Sequence, residues 1–174
     1  MKTSERISVI LSIVNQSPGL GKTAIMKCLY LLQTLKKVPL GYDFEIYTYG
    51  PYNSTVMAEI DYANQLGFLN VEGIIYPNGQ FGYNISLNEK GKERINTDQE
   101  LATYTKEITE IASEFGAKSA SELELLSTIL FVHNMCKDKS KDNVCSIVNG
   151  IKTKYTITFI NEMYDYMKNN NHLD

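Results

Sequence analysis

The segment Tyr49–Leu69, with the sequence YGPYNSTVMAEIDYANQLGFL, predicts one helix with a marked start and a marked end. Proline fixes its own φ and disfavours the helical region for the residue before it, so Pro51 should precede the helix. Asn53 or Ser54 can cap the free N–H groups of the first turn. Gly67 supplies a C-terminal stop, because glycine adopts the left-handed conformation at low cost. We therefore expect a short, capped helix here.

A β-hairpin is predicted directly after this helix. Asn78-Gly79 stands between two runs rich in β-branched and aromatic residues, which is the strongest short hairpin signal in a sequence. We expect helix at 54–65 and antiparallel strands near 70–76 and 80–86. A capped helix followed at once by a hairpin is how a winged helix-turn-helix presents its recognition helix and its wing.

The rest of the chain is predicted to be mainly helical. Two helices are expected before the central segment, the first capped by Thr3 or Ser4 and the second starting at Lys22. The first also fits a strand, because the apolar residues between Ile7 and Ile13 alternate. The predicted fold class is α+β, mainly α. Residues 1–95 form a winged helix-turn-helix in this prediction, and residues 96–174 form an all-helical C-terminal region of about four helices packed on it.

The bulk composition is typical of a soluble globular protein. The 174 residues are 43% hydrophobic and 21% charged. No apolar run approaches the roughly 18 residues that a membrane span needs, and the N-terminus lacks the features of a signal peptide. The three cysteines are irregularly spaced, which is typical of reduced thiols. We expect a cytoplasmic protein with no membrane partner.

Gly19-Leu20-Gly21-Lys22-Thr23 matches only the end of a phosphate-binding loop. Such a loop has the pattern G-x-x-x-x-G-K-[ST], and Gln16 stands where its first glycine is required. The chain also lacks the alternating βαβ units that build the parallel sheet around such a loop. The motif is better explained as a turn that leads into a helix.

Neither a metal site nor a catalytic site is predicted. His133, Cys136 and Cys145 lack the fourth ligand and the C-x-x-C pair that a structural zinc site needs. No Ser/His/Asp or Cys/His constellation has a local signature. We expect a protein that is not an enzyme and that holds no cofactor and no metal.

The predicted recognition helix is acidic. It contains no Lys or Arg and carries Glu59 and Asp61, which we expect to face outward. DNA affinity rests largely on basic contacts to phosphate, so positive charge would have to come from elsewhere. Residues 1–95 hold nine basic and eight acidic residues, and residues 96–174 hold eight and twelve. This weak asymmetry has the direction expected of a DNA-reading front half.

The predicted contact residues lie on the helix, the hairpin and the neighbouring basic positions. Polar residues of the recognition helix suit phosphate or base contact, tyrosines can lie along a backbone, and lysines supply charge. The residues predicted to bind DNA or a protein partner are Lys22, Lys27, Tyr52, Asn53, Ser54, Thr55, Tyr62, Asn78, Lys90 and Lys92.

Four stretches carry a family resemblance: GKTAIMKCLYLL at 21–32, YGPYNS at 49–54, LELLSTILF at 123–131 and GIKTKY at 150–155. Together they resemble YwgA-like proteins and the related Panacea (SocA-like) group. The second stretch differs from the Y-G-P-Y-S pattern of that family, because Asn53 is inserted before its serine or replaces it. YNISLNEKG at 83–91 is similar to the wing exit of many winged-helix regulators.

The resemblance implies a winged helix-turn-helix front with an all-helical back, and it implies no enzyme. No catalytic or metal residue can be carried over from it. The sequence favours a DNA-binding transcriptional regulator whose partner is double-stranded DNA. The alternative is the same fold used as a protein-binding module, antitoxin-like or adaptor, because some members of the wider group resemble such proteins. Whether the chain forms a homodimer stays open.

Overall fold

The structure is a computed structural model that describes residues 1–75, 79 and 81–174. In this part of the chain it has eight α-helices, a 3-10 turn at Leu101–Tyr104 and two antiparallel two-stranded sheets. The helices are α1 (Thr3–Gln16), α2 (Lys22–Leu35), α3 (Ser54–Gln65), α4 (Glu89–Thr97), α5 (Thr105–Phe115), α6 (Ala120–Met135), α7 (Lys141–Ile151) and α8 (Ile157–Asn169). The strands are β1 (Glu45–Tyr47), β2 (Gly50–Tyr52), β3 (Leu69–Ile75) and β4 (Phe81–Leu87). The predicted class, α+β and mainly α, is confirmed.

The chain divides into two compact units. The first contains Met1–Phe44 and Asn53–Lys118, and the second contains Glu45–Tyr52 and Ser119–Asp174. The β1–β2 hairpin therefore belongs to the second unit although it interrupts the sequence of the first. The boundary expected after residue 95 falls inside the first unit, because α4 and α5 both pack against α1.

Helix α3 and the following hairpin lie where the sequence predicts them. The side-chain oxygen of Asn53 caps α3 by accepting from the Thr55 N–H at 2.9 Å. Gly67 follows the helix with φ +72°, as its role in the stop requires. Strands β3 and β4 pair antiparallel from Leu69 opposite Leu87 to Ile75 opposite Phe81. The turn prediction at Asn78 lies outside the described residues.

Segment 3–16 is a helix, so the strand alternative for it is wrong. Every residue of α1 from Ile7 to Val14 is buried. The helix contacts α2, α3, α4, α5 and β4. A helix that is buried on all sides is apolar all round, so its sequence can also fit the alternating pattern of a strand. Gly19–Thr23 thus follows a helix, and both sheets of the described residues are antiparallel. A phosphate-binding loop follows a strand of a parallel sheet, and in the described residues the element before Gly19–Thr23 is helix α1.

The order α1–α2–α3–β3–β4 is the order that the winged-helix prediction requires, but one connection differs. A helix-turn-helix joins its two helices by about 3–4 residues. Here residues 36–53 separate α2 from α3, and this connection contains the β1–β2 hairpin. Strand β2 was not predicted, and a 3-10 turn precedes α5. The winged-helix assignment stays a prediction.

The thiols of Cys28, Cys136 and Cys145 are free. Cys28 is buried, as the sequence predicts, and burial raises the pKa of its thiol to about 12. Within residues 1–75, 79 and 81–174, no three side chains of the His, Cys, Asp or Glu type are placed to share a metal ion. None of the helices described is both long enough and apolar enough to cross a membrane.

His133 is a buried titratable group in α6 of the second unit. Burial lowers the pKa of its imidazole below the ordinary value of 6.5, and the nearby charge of Lys139 lowers this pKa further. The folded state therefore favours the neutral ring.

Lowering the pH from about 7 to about 5 is expected to reduce the free energy of unfolding through His133. The unfolded chain takes up this proton first, so stability present above the unfolded pKa is lost as the pH falls through the folded-state pKa. The slope should not exceed about 1.4 kcal/mol per pH unit. Urea unfolding at several pH values measures it.

The variant His133→Leu should flatten this pH dependence. His172→Leu is the matched control, because the sequence holds two histidines. A pH dependence that survives in His133→Leu and disappears in His172→Leu would contradict the assignment.

Candidate partner-binding surface

The exposed side of α3 and the hairpin β3–β4 carry most of the predicted contact residues. We define the α3–hairpin surface by the exposed residues Ser54, Thr55, Ala58, Asp61, Tyr62 and Gln65 of α3 with Ile75 and Phe81 of the hairpin. All of them belong to the first unit. Tyr52, also predicted as a contact residue, is exposed in β2 of the second unit instead.

Lys22 joins α3 to the hairpin. Its ammonium pairs with the carboxylate of Asp61 and lies 4.6 Å from the centre of the Tyr83 ring. The Tyr83 ring in turn meets Phe81 edge-to-face at 5.2 Å. Only 12% of the Lys22 side chain is exposed. Its charge is therefore used within the first unit and is largely withheld from a ligand.

The side chain of Asn53 makes two hydrogen bonds within the first unit. Its oxygen caps α3, and its amide nitrogen donates to the carbonyl of Asp43 at 2.6 Å. A base contact from Asn53 would have to replace one of these bonds. Ser54 and Thr55 remain exposed at the first turn of α3.

Two side chains expected on the outside are in the core, which corrects the predictions for them. Lys27 is only 2% exposed, so it cannot contact a DNA phosphate or a partner surface. Glu59 is 4% exposed. Its carboxylate accepts from Arg6 Nε at 2.9 Å and from the phenol of Tyr42. The buried carboxylate links α3 to α1 and to the connection after α2.

The basic residues after the hairpin also have partners. Lys90 Nζ donates to the carbonyl of Leu66 at 2.8 Å, near the C-terminal end of α3. A cation is favoured there, because helix carbonyls give that end a partial negative charge. Lys92 pairs with Glu89 at 2.7 Å. Arg94 pairs with Asp98 at 3.1 Å.

The α3–hairpin surface is consequently close to neutral. Asp61 is compensated by Lys22, and the basic residues predicted to supply charge are either buried or bonded to carboxylates or to a carbonyl. DNA binding needs cations that exchange small counterions at phosphates. The ion pairs of Lys22 and Lys92 would have to open before these two lysines met phosphate.

The described end of the β3–β4 hairpin is apolar and exposed. Ile75 and Phe81 form its last cross-strand pair, and 76% and 64% of their surfaces are accessible. The two side chains are cross-strand neighbours and form a small apolar patch, and exposed apolar patches can mark sites where another molecule binds. Asn78, also predicted as a contact residue, lies outside the described residues.

Tyr62 borders a cavity in the first unit. The cavity has a volume of about 510 Å³ and is lined by Thr3, Ser4, Ile7, Tyr62, Leu66, Phe68 and Arg94. Apolar side chains form most of its wall. The cavity is therefore lined by α1, by the C-terminal end of α3 and by α4.

The buried network of Glu59, Arg6 and Tyr42 was missed at the sequence level. A signal for it is the spacing of Glu59 from Val56, Ile60 and Ala63, which places it beside the apolar face of α3. Its partners come from distant positions, so the pattern alone does not identify them.

The two acidic residues of α3 give a matched comparison. Glu59→Ala should lower the free energy of unfolding by about 3 kcal/mol, because it removes the buried carboxylate that pairs with the largely buried Arg6 guanidinium. Asp61→Ala removes a carboxylate that is 54% exposed on the same helix, where water can replace it beside Lys22, and should cost about 1 kcal/mol or less. Urea unfolding measures both, and equal losses would contradict the assigned burial.

Comparison with known proteins gives one distant similarity and no family model that matches the sequence. Over 147 residues the chain is 29% identical to "Uncharacterized protein YwgA" of Bacillus subtilis (strain 168). The alignment covers 84% of this chain and 81% of that protein. This distant similarity to YwgA supports the YwgA-like resemblance of the sequence.

Proposed function

We propose that this protein is a non-enzymatic winged-helix module whose α3–hairpin surface binds a protein partner, in an antitoxin-like or adaptor role. The observation that carries the proposal is the exposed pair Ile75 and Phe81 beside a helix without basic residues. Protein interfaces are enriched in aromatic residues and depleted in charge at their centre, which is the composition of this surface.

The competing function is the DNA-binding transcriptional regulator that the order of helix and hairpin suggests. It needs several lysines or arginines that reach phosphate. Lys27 is buried, and Lys22 is held by Asp61 on the helix that would read the bases. Lys90 and Lys92 are bonded to Leu66 and Glu89. These contacts favour the protein partner over DNA.

The similarity to YwgA is compatible with this proposal. We extend it to a relationship with the Panacea (SocA-like) group, some members of which resemble antitoxins or adaptors that bind proteins. The proposed site of action is the cytoplasm, where the free thiols of Cys28, Cys136 and Cys145 would remain reduced.

A titration with random duplex DNA at low and at physiological salt separates the two functions. We expect no measurable affinity at either salt concentration, because the surface offers almost no uncompensated positive charge. Binding at low salt would contradict the proposal if its log–log salt slope were about 0.9 per phosphate contact and if Lys22→Glu and Lys92→Glu both weakened it.

Photocrosslinking from the hairpin tests the protein partner directly. A benzophenone side chain at position 81 should capture one protein in the native host, whereas the same group at exposed Thr109 of α5 should not. The captured protein is then purified and its affinity measured. Replacing both Ile75 and Phe81 by serine should weaken binding by about tenfold or more, and Thr109→Ser should leave it unchanged. An undiminished affinity in the double variant would contradict the proposal.

A further inference from the structure

The β1–β2 hairpin of the second unit presents three tyrosines to solvent. Tyr47, Tyr49 and Tyr52 are 65%, 57% and 36% exposed, and the rings of Tyr47 and Tyr52 lie 5.5 Å apart. Tyrosine offers a large amphipathic contact area with few rotatable bonds, which is why it is enriched in binding surfaces. We name these three residues the tyrosine hairpin.

A buried lysine holds the tyrosine hairpin in place. Lys152 is 2% exposed, and its Nζ donates to the carbonyl of Thr48 at 2.6 Å. The same atom lies 3.0 Å from Glu124 Oε1 on α6. An ion pair buried under a surface turn fixes the turn before any ligand arrives, and a preorganised contact surface loses less entropy on binding.

Glycine allows the hairpin to approach α6 closely. Gly50 has φ +88°, and a Cβ added there would lie 2.8 Å from Thr128 Oγ1. Any other residue would meet both a strained backbone conformation and a steric overlap. The YTYGPY segment therefore forms a fixed platform on the second unit.

The platform has an excess of positive charge near its turn. Lys152 and Lys154 both pair with the single carboxylate of Glu124, at 3.0 and 2.8 Å. Lys154 is the outer cation, with half of its side chain exposed. Its ammonium lies 5.1 Å from the ring centre of Tyr49 and 4.8 Å from that of Tyr155.

We infer that the tyrosine hairpin with Lys154 binds an acidic segment of a partner polypeptide. An Asp or Glu side chain can pair with the Lys154 ammonium while neighbouring apolar groups lie on the tyrosine rings. The acidic residue of the hairpin, Glu45, stands at the open end of the strands, opposite Tyr52 and away from the turn. This inference does not rest on the α3–hairpin surface, which belongs to the other unit.

Tyrosines beside a lysine are also used to stack single-stranded nucleic acid. Such sites combine the rings with a positively charged groove that follows the backbone. Here one half-exposed lysine accompanies three tyrosines, and its charge is shared with Glu124. A single acidic side chain matches this charge better than a row of phosphates.

Selection of phage-displayed random peptides on the full chain tests the inference. The expected peptides combine Asp or Glu with apolar residues. Synthetic versions of these peptides should bind the chain about tenfold or more weakly when the chain carries Tyr49→Ser or Lys154→Gln. Thr109→Ser is the control, because Thr109 is exposed on α5, outside both the tyrosine hairpin and the α3–hairpin surface, and should leave binding unchanged.

Four outcomes would overturn the inference. They are failure to enrich any peptide, enrichment of peptides without acidic residues, equal binding to the Tyr49→Ser and parent chains, and displacement of bound peptide by single-stranded oligothymidylate. A concentration-dependent dimer that Tyr49→Ser abolishes would instead assign the surface to a second copy. Far-UV circular dichroism and urea unfolding of each variant confirm that it is folded. The Phe81→Ser variant should bind these peptides normally, so the result is independent of the proposed function.

Discussion

The first unit depends on one buried carboxylate. Glu59 accepts from Arg6 of α1 and from Tyr42 of the connection after α2, so three separate parts of the chain meet at a single charged group. An isolated carboxylate is very costly to bury, and an ion pair with further hydrogen bonds is the arrangement that makes burial tolerable. Because donors from two other parts of the chain meet the same carboxylate, the network also fixes how α3 is rotated about its axis.

The groups around Glu59 support one another electrostatically. The carboxylate, through its hydrogen bonds to the guanidinium, raises the pKa of Arg6. Burial, followed by the carboxylate, raises the pKa of Tyr42, which keeps its phenol protonated and able to donate. The Arg6 guanidinium also lies 5.1 Å from the centre of the Tyr42 ring. The second unit repeats the device with Glu124, Lys152, Lys154 and Tyr155.

The parts of the fold that the sequence predicts well are those set by neighbouring residues. Asn53, Gly67 and the alternating runs around the turn act over a few positions, so helix α3 and its hairpin lie where expected. The misplaced residues depend on distant partners. Glu59 counts as an outward charge until Arg6 and Tyr42 are known, and the burial of Lys27 depends on how helices pack around α2. The division into two units has the same origin, because residues 45–52 belong with Ser119–Asp174, which are far away in the sequence.

The division into two units affects how the chain can fold during its synthesis. The sequence passes from one unit to the other after Phe44, returns at Asn53 and leaves again after Lys118. On a ribosome, which adds residues from the N-terminus onward, the β1–β2 hairpin emerges well before the Glu124 and Lys152 that anchor it. The first unit can close only by looping this hairpin out. The second unit cannot be produced as a simple C-terminal fragment, because strands β1 and β2 would be missing. A gene for this unit alone would have to join the codons for residues 45–52 to those for residues 119–174.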